Sequence, residues 1–192
     1  MNEQYTNLLE EYGFLPRELR IETNEQFEEL WNTHNKEYNK IKVFGRICTS
    51  KRYQNCYGQP YTFSGVKMES KPIPEYLQKY INYFNNLYGV NFNMCLLNFY
   101  ENGNHYIGMH SDNEKQIVKY SPIITITFLE DSDNPRKFTI LNKKTKEKRH
   151  RELKHNSYFT MKDRFQEVYK HGIPIQKKIK TKRISITLRV FK

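Results

Sequence analysis

The chain has 192 residues and a mass of 23.4 kDa, a length that leaves room for one hydrophobic core. It is 37% hydrophobic and 28% charged, and its 15 Tyr and 12 Phe exclude a disordered polymer, which would be poor in aromatic residues. No apolar run approaches the roughly 20 residues of a membrane span, and three cysteines without a C-x-x-C pair argue against a disulfide scaffold or a structural zinc site.

The opening stretch MNEQYTNLLEEYGF lacks the basic-then-apolar pattern of a secretory leader. The expectation is a monomer of a reducing intracellular compartment, nucleus or cytoplasm, with no membrane partner. The formal charge of +11 is uneven: residues 1–40 hold nine acids and four bases, residues 41–135 nine bases and eight acids, and residues 136–192 nineteen bases and four acids, a net +15. Charge concentrated in this way points to a polyanion held against one side of the molecule. The competing reading is a set of lysine-loaded hairpin tips in solvent.

In chain order, residues 24–38 (NEQFEELWNTHNKEY) place Phe27, Leu30, Trp31, His34 and Tyr38 at helical spacing, with Thr23 or Asn24 as N-cap. KVFGRI and PYTFSG read as short strands. A second helix, PEYLQKYINYFNNLYG, presents Leu77, Tyr80, Ile81, Phe84 and Leu87 and stops at Gly89. MCLLNFYE, HYIGMHSD, PIITITFLE, KFTIL, SYFTM, VYKHGIP and RISITLRVF follow as further strands, with residues 130–136 and 142–150 as loops or hairpin tips. Many short strands with few intervening helices predict a mainly β, α+β fold: an antiparallel jelly roll (double-stranded β-helix) with two helices against one sheet.

Chemistry begins at His110-Ser111-Asp112. Strand side chains alternate faces, so an imidazole and a carboxylate two residues apart project together. His171, at the end of a much later strand, supplies a second imidazole. Two His and one carboxylate suit the facial triad of Fe(II) oxygenases, although a zinc hydrolase could use the same ligands. RISITLRVF alternates strictly, with Ile184, Ile186, Leu188 and Val190 on one face and Arg183, Ser185, Thr187 and Arg189 on the other. Asn98 and Tyr100 share a face of another strand. Arginine grips carboxylates in a bidentate fashion, so this set beside a metal suits a small dicarboxylate. Across six residues the two arginine Cα atoms lie roughly 20 Å apart when extended, so both side chains must lean inward.

N-x-Y, then H-x-D, a distal His and R-x-S-x-T-x-R together resemble the AlkB family of Fe(II)/2-oxoglutarate dioxygenases. Asn98, Tyr100, His110, Asp112, His171, Arg183, Ser185, Thr187 and Arg189 match in order. Tyr57-Gly58, Tyr61-Thr62-Phe63-Ser64-Gly65 and Glu114 are similar to the animal DNA-repair branch. Ser185 departs from the Asn usual in those enzymes but keeps a hydrogen-bonding group there, so cosubstrate binding is expected to survive. The resemblance runs from about Val43 to the C-terminus.

What it implies is one dioxygenase domain over residues 1–192: an acidic helical extension (1–42), a nucleotide-recognition lid with its supporting helix (43–90) and a jelly-roll core (91–192). It further implies Fe(II) on His110, Asp112 and His171, with O2 as co-reactant and 2-oxoglutarate as cosubstrate. Arg183 and Tyr100 would take the far carboxylate, Arg189 and Asn98 the keto-acid end, with Ser185 and Thr187 between. Tyr61, Phe63, Ser64 and Glu114 would contact a flipped base, and Arg52 would sit as a lid over the pocket. The implied activity is oxidative demethylation of 1-methyladenine- and 3-methylcytosine-type bases, in DNA rather than RNA. The alternatives are a related oxygenase acting on RNA or a protein side chain, and a non-catalytic basic nucleic-acid-binding module.

Overall fold

A computed structural model describes residues 9–43, 45–63 and 66–192; of Val43, Tyr61, Phe63, Lys67 and Met68 it describes the backbone alone. The chain runs β1 (Glu10–Phe14), a 3-10 turn (Arg17–Leu19), α1 (Asn24–Trp31), β2 (Lys40–Val43), β3 (Arg46–Thr49), β4 (Tyr53–Gly58), β5 (Tyr61–Phe63), β6 (Val66–Met68) and α2 (Glu75–Tyr88). It continues β7 (Met94–Tyr100), β8 (Ile107–His110), β9 (Ile123–Leu129), β10 (Arg136–Asn142), β11 (Lys148–Leu153), β12 (Ser157–Met161), α3 (Phe165–Val168), β13 (Tyr169–Ile173) and β14 (Arg183–Arg189).

Six strands form the larger sheet, in the order β1-β12-β9-β14-β7-β4, and four the smaller, β11-β10-β13-β8. Their pairings are antiparallel, and the two sheets make the jelly roll that the strand pattern predicts. The alternation of β14 explains how the larger sheet is used on both faces. Ile184, Ile186 and Leu188 join Cys95, Leu97 and Phe99 of β7 and Ile124, Ile126 and Phe128 of β9 against Phe27, Leu30 and Trp31 of α1 and Leu77, Tyr80, Ile81 and Phe84 of α2. Each such side chain, fully buried, contributes about 1.5–3 kcal/mol. The opposite face of β14 carries Arg183, Ser185, Thr187 and Arg189, all buried. That inner face also holds an apolar cluster that includes Phe138, Ile140, Phe159, Phe165 and Ile173.

Both predicted helices exist, but the first is shorter than its periodicity implies. It opens on a capping box between Thr23 and Gln26 and ends at Trp31. Thr33 Oγ1 donates to the Leu30 carbonyl and His34 Nδ1 lies 2.6 Å from that of Trp31, so side chains satisfy groups that a further turn would have used. Tyr38 lies beyond the helix, stacked on Tyr53 with ring centroids 4.4 Å apart. The second helix ends as expected on Gly89, at φ 63°.

The jelly roll is not confined to residues 91–192. β1, within the stretch expected to be helical, pairs with β12, and β4, within the expected lid, pairs with β7. KVFGRI is a hairpin rather than a strand, folding at Gly45 (φ 80°). The stretch 142–150, expected as a loop or hairpin tip, is the tip of the β10–β11 hairpin, whose second strand already begins at Lys148 and pairs along β10. In each missed strand the apolar signal is weak because polar side chains find partners. Glu10 binds Arg149 and Arg151 of β11, and in β4 the buried Gln54 and Asn55 bond to Asn98 and to the Thr33 carbonyl.

Gly103 tests how tightly the loops close over the sheet ends. A Cβ there would lie 1.8 Å from the Gln176 carbonyl oxygen, whereas one at Gly108 meets nothing within 4 Å. Gly103→Ala is expected to cost roughly 3 kcal/mol in urea denaturation and Gly108→Ala less than about 0.5 kcal/mol; equal midpoints for the two variants would contradict this packing.

Candidate active site

β8 and β13 are antiparallel neighbours with His171 paired directly to His110, and the two imidazole centroids lie 4.4 Å apart. The strands approach so closely that a Cβ at Gly172 would sit 2.8 Å from the Ile107 carbonyl. Asp112 follows two residues past the end of β8, in loop rather than strand, and its Oδ1 reaches within 3.3 Å of His110 Nε2. Ligand atoms of His110, Asp112 and His171 all lie within 4.8 Å of one another.

The electrostatics suit a divalent cation. His110 Nδ1 is 2.9 Å from the Gly108 carbonyl, which can only accept, so Nδ1 carries a proton and the ring turns Nε2 toward Asp112 Oδ1. Burial, and then the neighbouring His110, push the His171 pKa down to about 3, leaving a neutral imidazole. Burial opposes ionisation of Asp112, but the Arg189 guanidinium and the His110 contact hold its carboxyl well below the usual range. Arg189 donates to Asp112 Oδ2 from Nη2 at 2.7 Å and from Nε at 3.1 Å. Asp112 Oδ1 and His171 Nδ1 are buried with no hydrogen bond. Two imidazoles and one carboxylate, with Asp112 Oδ1 and His171 Nδ1 left unsatisfied, form the donor set of a two-histidine, one-carboxylate metal centre.

One pocket joins these three residues to Arg52, Asn98, Tyr100, Arg183, Ser185, Thr187 and Arg189. Both arginines of β14 therefore lean inward. Arg183 Nη2 donates to Thr127 Oγ1 at 3.1 Å and its guanidinium stands 4.9 Å from the Tyr100 ring. Its Nε and Nη1 are buried without hydrogen bonds. Burial lowers its pKa, an effect that Tyr100 offsets. A desolvated cation with two unsatisfied donors fits a carboxylate ligand.

Arg52, expected as a lid, is instead buried, with its Nε donating to Asn98 Oδ1 at 2.7 Å. Glu114 lines a neighbouring cavity that shares Asp112 with this pocket. Tyr61 and Phe63 lie on β5, but their side chains, like the whole of Ser64, fall outside the described residues. Cys56 and His105 are structural: burial pushes the Cys56 thiol up to about 11, and His105 accepts from the Glu101 N–H and meets the Tyr38 hydroxyl.

Sequence reasoning passed over Gln54, Thr127 and Arg136. Gln54 Nε2 donates to Asn98 Oδ1 at 3.1 Å. Arg136, fully enclosed, donates to the carbonyls of Asn102, His105 and Pro174 at 3.0, 2.9 and 2.8 Å. Thr127 was detectable, since it falls on the inward parity of PIITITFLE. Arg136 opens a strand of ordinary composition and left no signal.

Residues 11–189 match the family model described as the 2OG-Fe(II) oxygenase superfamily. The chain is 30% identical over 161 residues to a Mus musculus protein named DNA oxidative demethylase ALKBH2, the match covering 78% of this chain and 66% of the relative. The Homo sapiens protein of that name is 29% identical over 161 residues, covering 78% of this chain and 60% of the relative. The chain thus spans somewhat under two thirds of the length of these relatives. Among solved structures, one described as the structure of OsALKBH1 superposes with TM-score 0.62 at 13% identity, covering 95% of this chain and 98% of that one. A 2OG-Fe(II) oxygenase family oxidoreductase from Burkholderia pseudomallei superposes with TM-score 0.57 at 12% identity, covering 97% and 86%. These last two show the shared fold; the family model, which spans nearly the whole chain, places this protein in the 2OG-Fe(II) oxygenase superfamily.

Proposed function

We propose that this chain is an AlkB-type oxidative demethylase of N-alkylated nucleic-acid bases, acting on 1-methyladenine- and 3-methylcytosine-type lesions in DNA. The observation that carries the reading is the meeting, in one pocket, of the His110, Asp112 and His171 donor set with Arg183, whose buried guanidinium keeps two donors unsatisfied. The relatives named DNA oxidative demethylase support the choice of substrate. So do the exposed lysines 144, 146 and 148 of the β10–β11 hairpin and 177, 178 and 180 before β14, which suit contacts to backbone phosphates.

In this reading, Fe(II) with 2-oxoglutarate supplies O2 activation and hydroxylation of the N-methyl group, with formaldehyde, succinate and CO2 as products. The protein's own part is to hold and orient. His110, Asp112 and His171, whose ligand atoms lie within 4.8 Å of one another, would hold the ion. Arg183, whose guanidinium stands 4.9 Å from the Tyr100 ring, would take the far carboxylate of the cosubstrate. Arg189, which holds Asp112 ionised, would face the keto-acid end with Asn98, while Ser185 and Thr187 line the same pocket. Asn98 is itself fixed by Arg52 and Gln54, so Arg52 acts by positioning rather than by touching the base. Tyr61, Phe63 and Ser64 on and after β5, with Glu114, would receive a base turned out of the stack.

His110→Ala, Asp112→Ala and His171→Ala are each expected to abolish formaldehyde and succinate release with a methylated oligonucleotide. Wild-type turnover in all three would remove the metal assignment. Arg183→Met is expected to raise the 2-oxoglutarate concentration for half-maximal rate by about 10–100-fold, the equivalent of a lost charged hydrogen bond; an unchanged requirement would place the cosubstrate elsewhere. Arg189→Met leaves a buried carboxylate without its cation and should destabilise the metal-free protein by about 3–5 kcal/mol, with most of the loss recovered in Asp112→Asn/Arg189→Met. Calorimetric unfolding of wild type, Asp112→Asn, Arg189→Met and the double variant checks this, and additive effects of the two substitutions would contradict it.

A further inference from the structure

Asp112 is the one member of the triad that stands outside a strand, so no ladder bond sets its backbone. We propose that Gln166 is a positioning residue for Asp112: it anchors the main chain of this ligand while Arg189 anchors its carboxylate. The inference rests on the metal-site reading above.

Gln166 Oε1 accepts the Asp112 backbone N–H at 2.9 Å, across 54 residues of sequence. The other end of the same amide, Nε2, lies 3.2 Å from Met161 Sδ, a group that can only accept. The two contacts therefore agree on the amide's orientation, with its oxygen toward the metal loop. Gln166 is held in turn by the four-residue helix α3. Phe165, fully buried, packs its ring 5.0 Å from Tyr169 and 6.2 Å from His171. Lys143 Nζ donates to the Gln166 carbonyl at 2.6 Å.

The residue before Asp112 is stitched to the same segment, with Ser111 Oγ donating to the Tyr169 carbonyl at 2.8 Å. Farther along the loop, the Tyr120 hydroxyl donates to Glu167 Oε1 at 3.2 Å. α3 thus grips the loop that carries Asp112 and immediately precedes the strand that carries His171. With Arg189 fixing Oδ2 and Gln166 fixing the N–H, the direction of Oδ1 toward His110 Nε2, where an ion would be held, follows from two points at opposite ends of the residue. Partners of this kind beyond the ligands themselves commonly govern metal affinity by about 10–100-fold.

The test uses Co(II), an oxygen-tolerant probe of the Fe(II) site, titrated calorimetrically into the metal-free full chain, with urea denaturation of the same samples. Gln166→Leu is expected to weaken Co(II) binding by about 10–100-fold at an unchanged urea midpoint, whereas Gln166→Glu, which keeps an oxygen acceptor, stays within about threefold of wild type. Binding by Gln166→Leu as tight as wild type overturns the inference. So does a loss of affinity in both variants that follows an equal loss of urea stability, because that marks a purely structural role. His171→Ala separates this inference from the reading beneath it. If wild type and His171→Ala bind Co(II) alike, the metal site itself is refuted; if they differ while Gln166→Leu matches wild type, the role of Gln166 alone falls.

Discussion

The pairing of β13 with β8 is the constraint on which the remainder of the site depends. It sets His171 opposite His110 although 60 positions of chain separate them, and it holds only because Gly172 lets the strands close against the Ile107 carbonyl. A one-residue slip would turn His171 to the other face of the smaller sheet. The larger sheet carries the complementary constraint. Ser185 pairs with Asn98 and Arg183 with Tyr100, so the residues suited to an organic acid arrive as neighbours through backbone register.

The interior between the sheets is unusual in its charge. Arg136 and Arg183 are among its largest fully buried side chains, and both guanidiniums stand over the Tyr100 ring, at 5.8 and 4.9 Å. Burial, and then the Arg183 charge, bring the Arg136 pKa down to about 10. Three carbonyls compensate Arg136 and Asp112 compensates Arg189. Arg183 has a threonine hydroxyl and a π face, which together neutralise less than a carboxylate would. The fold keeps one desolvated cation incompletely satisfied next to a metal donor set, an arrangement whose natural complement is an anion able to reach both.

Much of this was legible in the sequence because period-2 alternation carries face information directly. RISITLRVF shows both its helix-facing and its pocket-facing sides, and H-x-D with a distant His shows the three residues that the fold clusters. The elements that escaped were those whose polar residues are buried in pairs. Gln54 and Asn55 break the apolar alternation of β4, and Glu10 with Arg149 disguises two edge strands that meet through an ion pair. Nothing in SKRYQNCYG shows that the Arg52 guanidinium turns inward to Asn98. Gln166 left no trace because its contact is to backbone, which has no sequence signature at a separation of 54 residues.

Anaerobic titration of the wild-type chain with Fe(II) and 2-oxoglutarate, followed calorimetrically and by visible absorption, tests the central claim most directly. The account predicts one metal and one 2-oxoglutarate per chain, with a charge-transfer band that appears only when both are present. Binding of 2-oxoglutarate that is indifferent to the metal, or a metal that binds without creating a 2-oxoglutarate site, would contradict it.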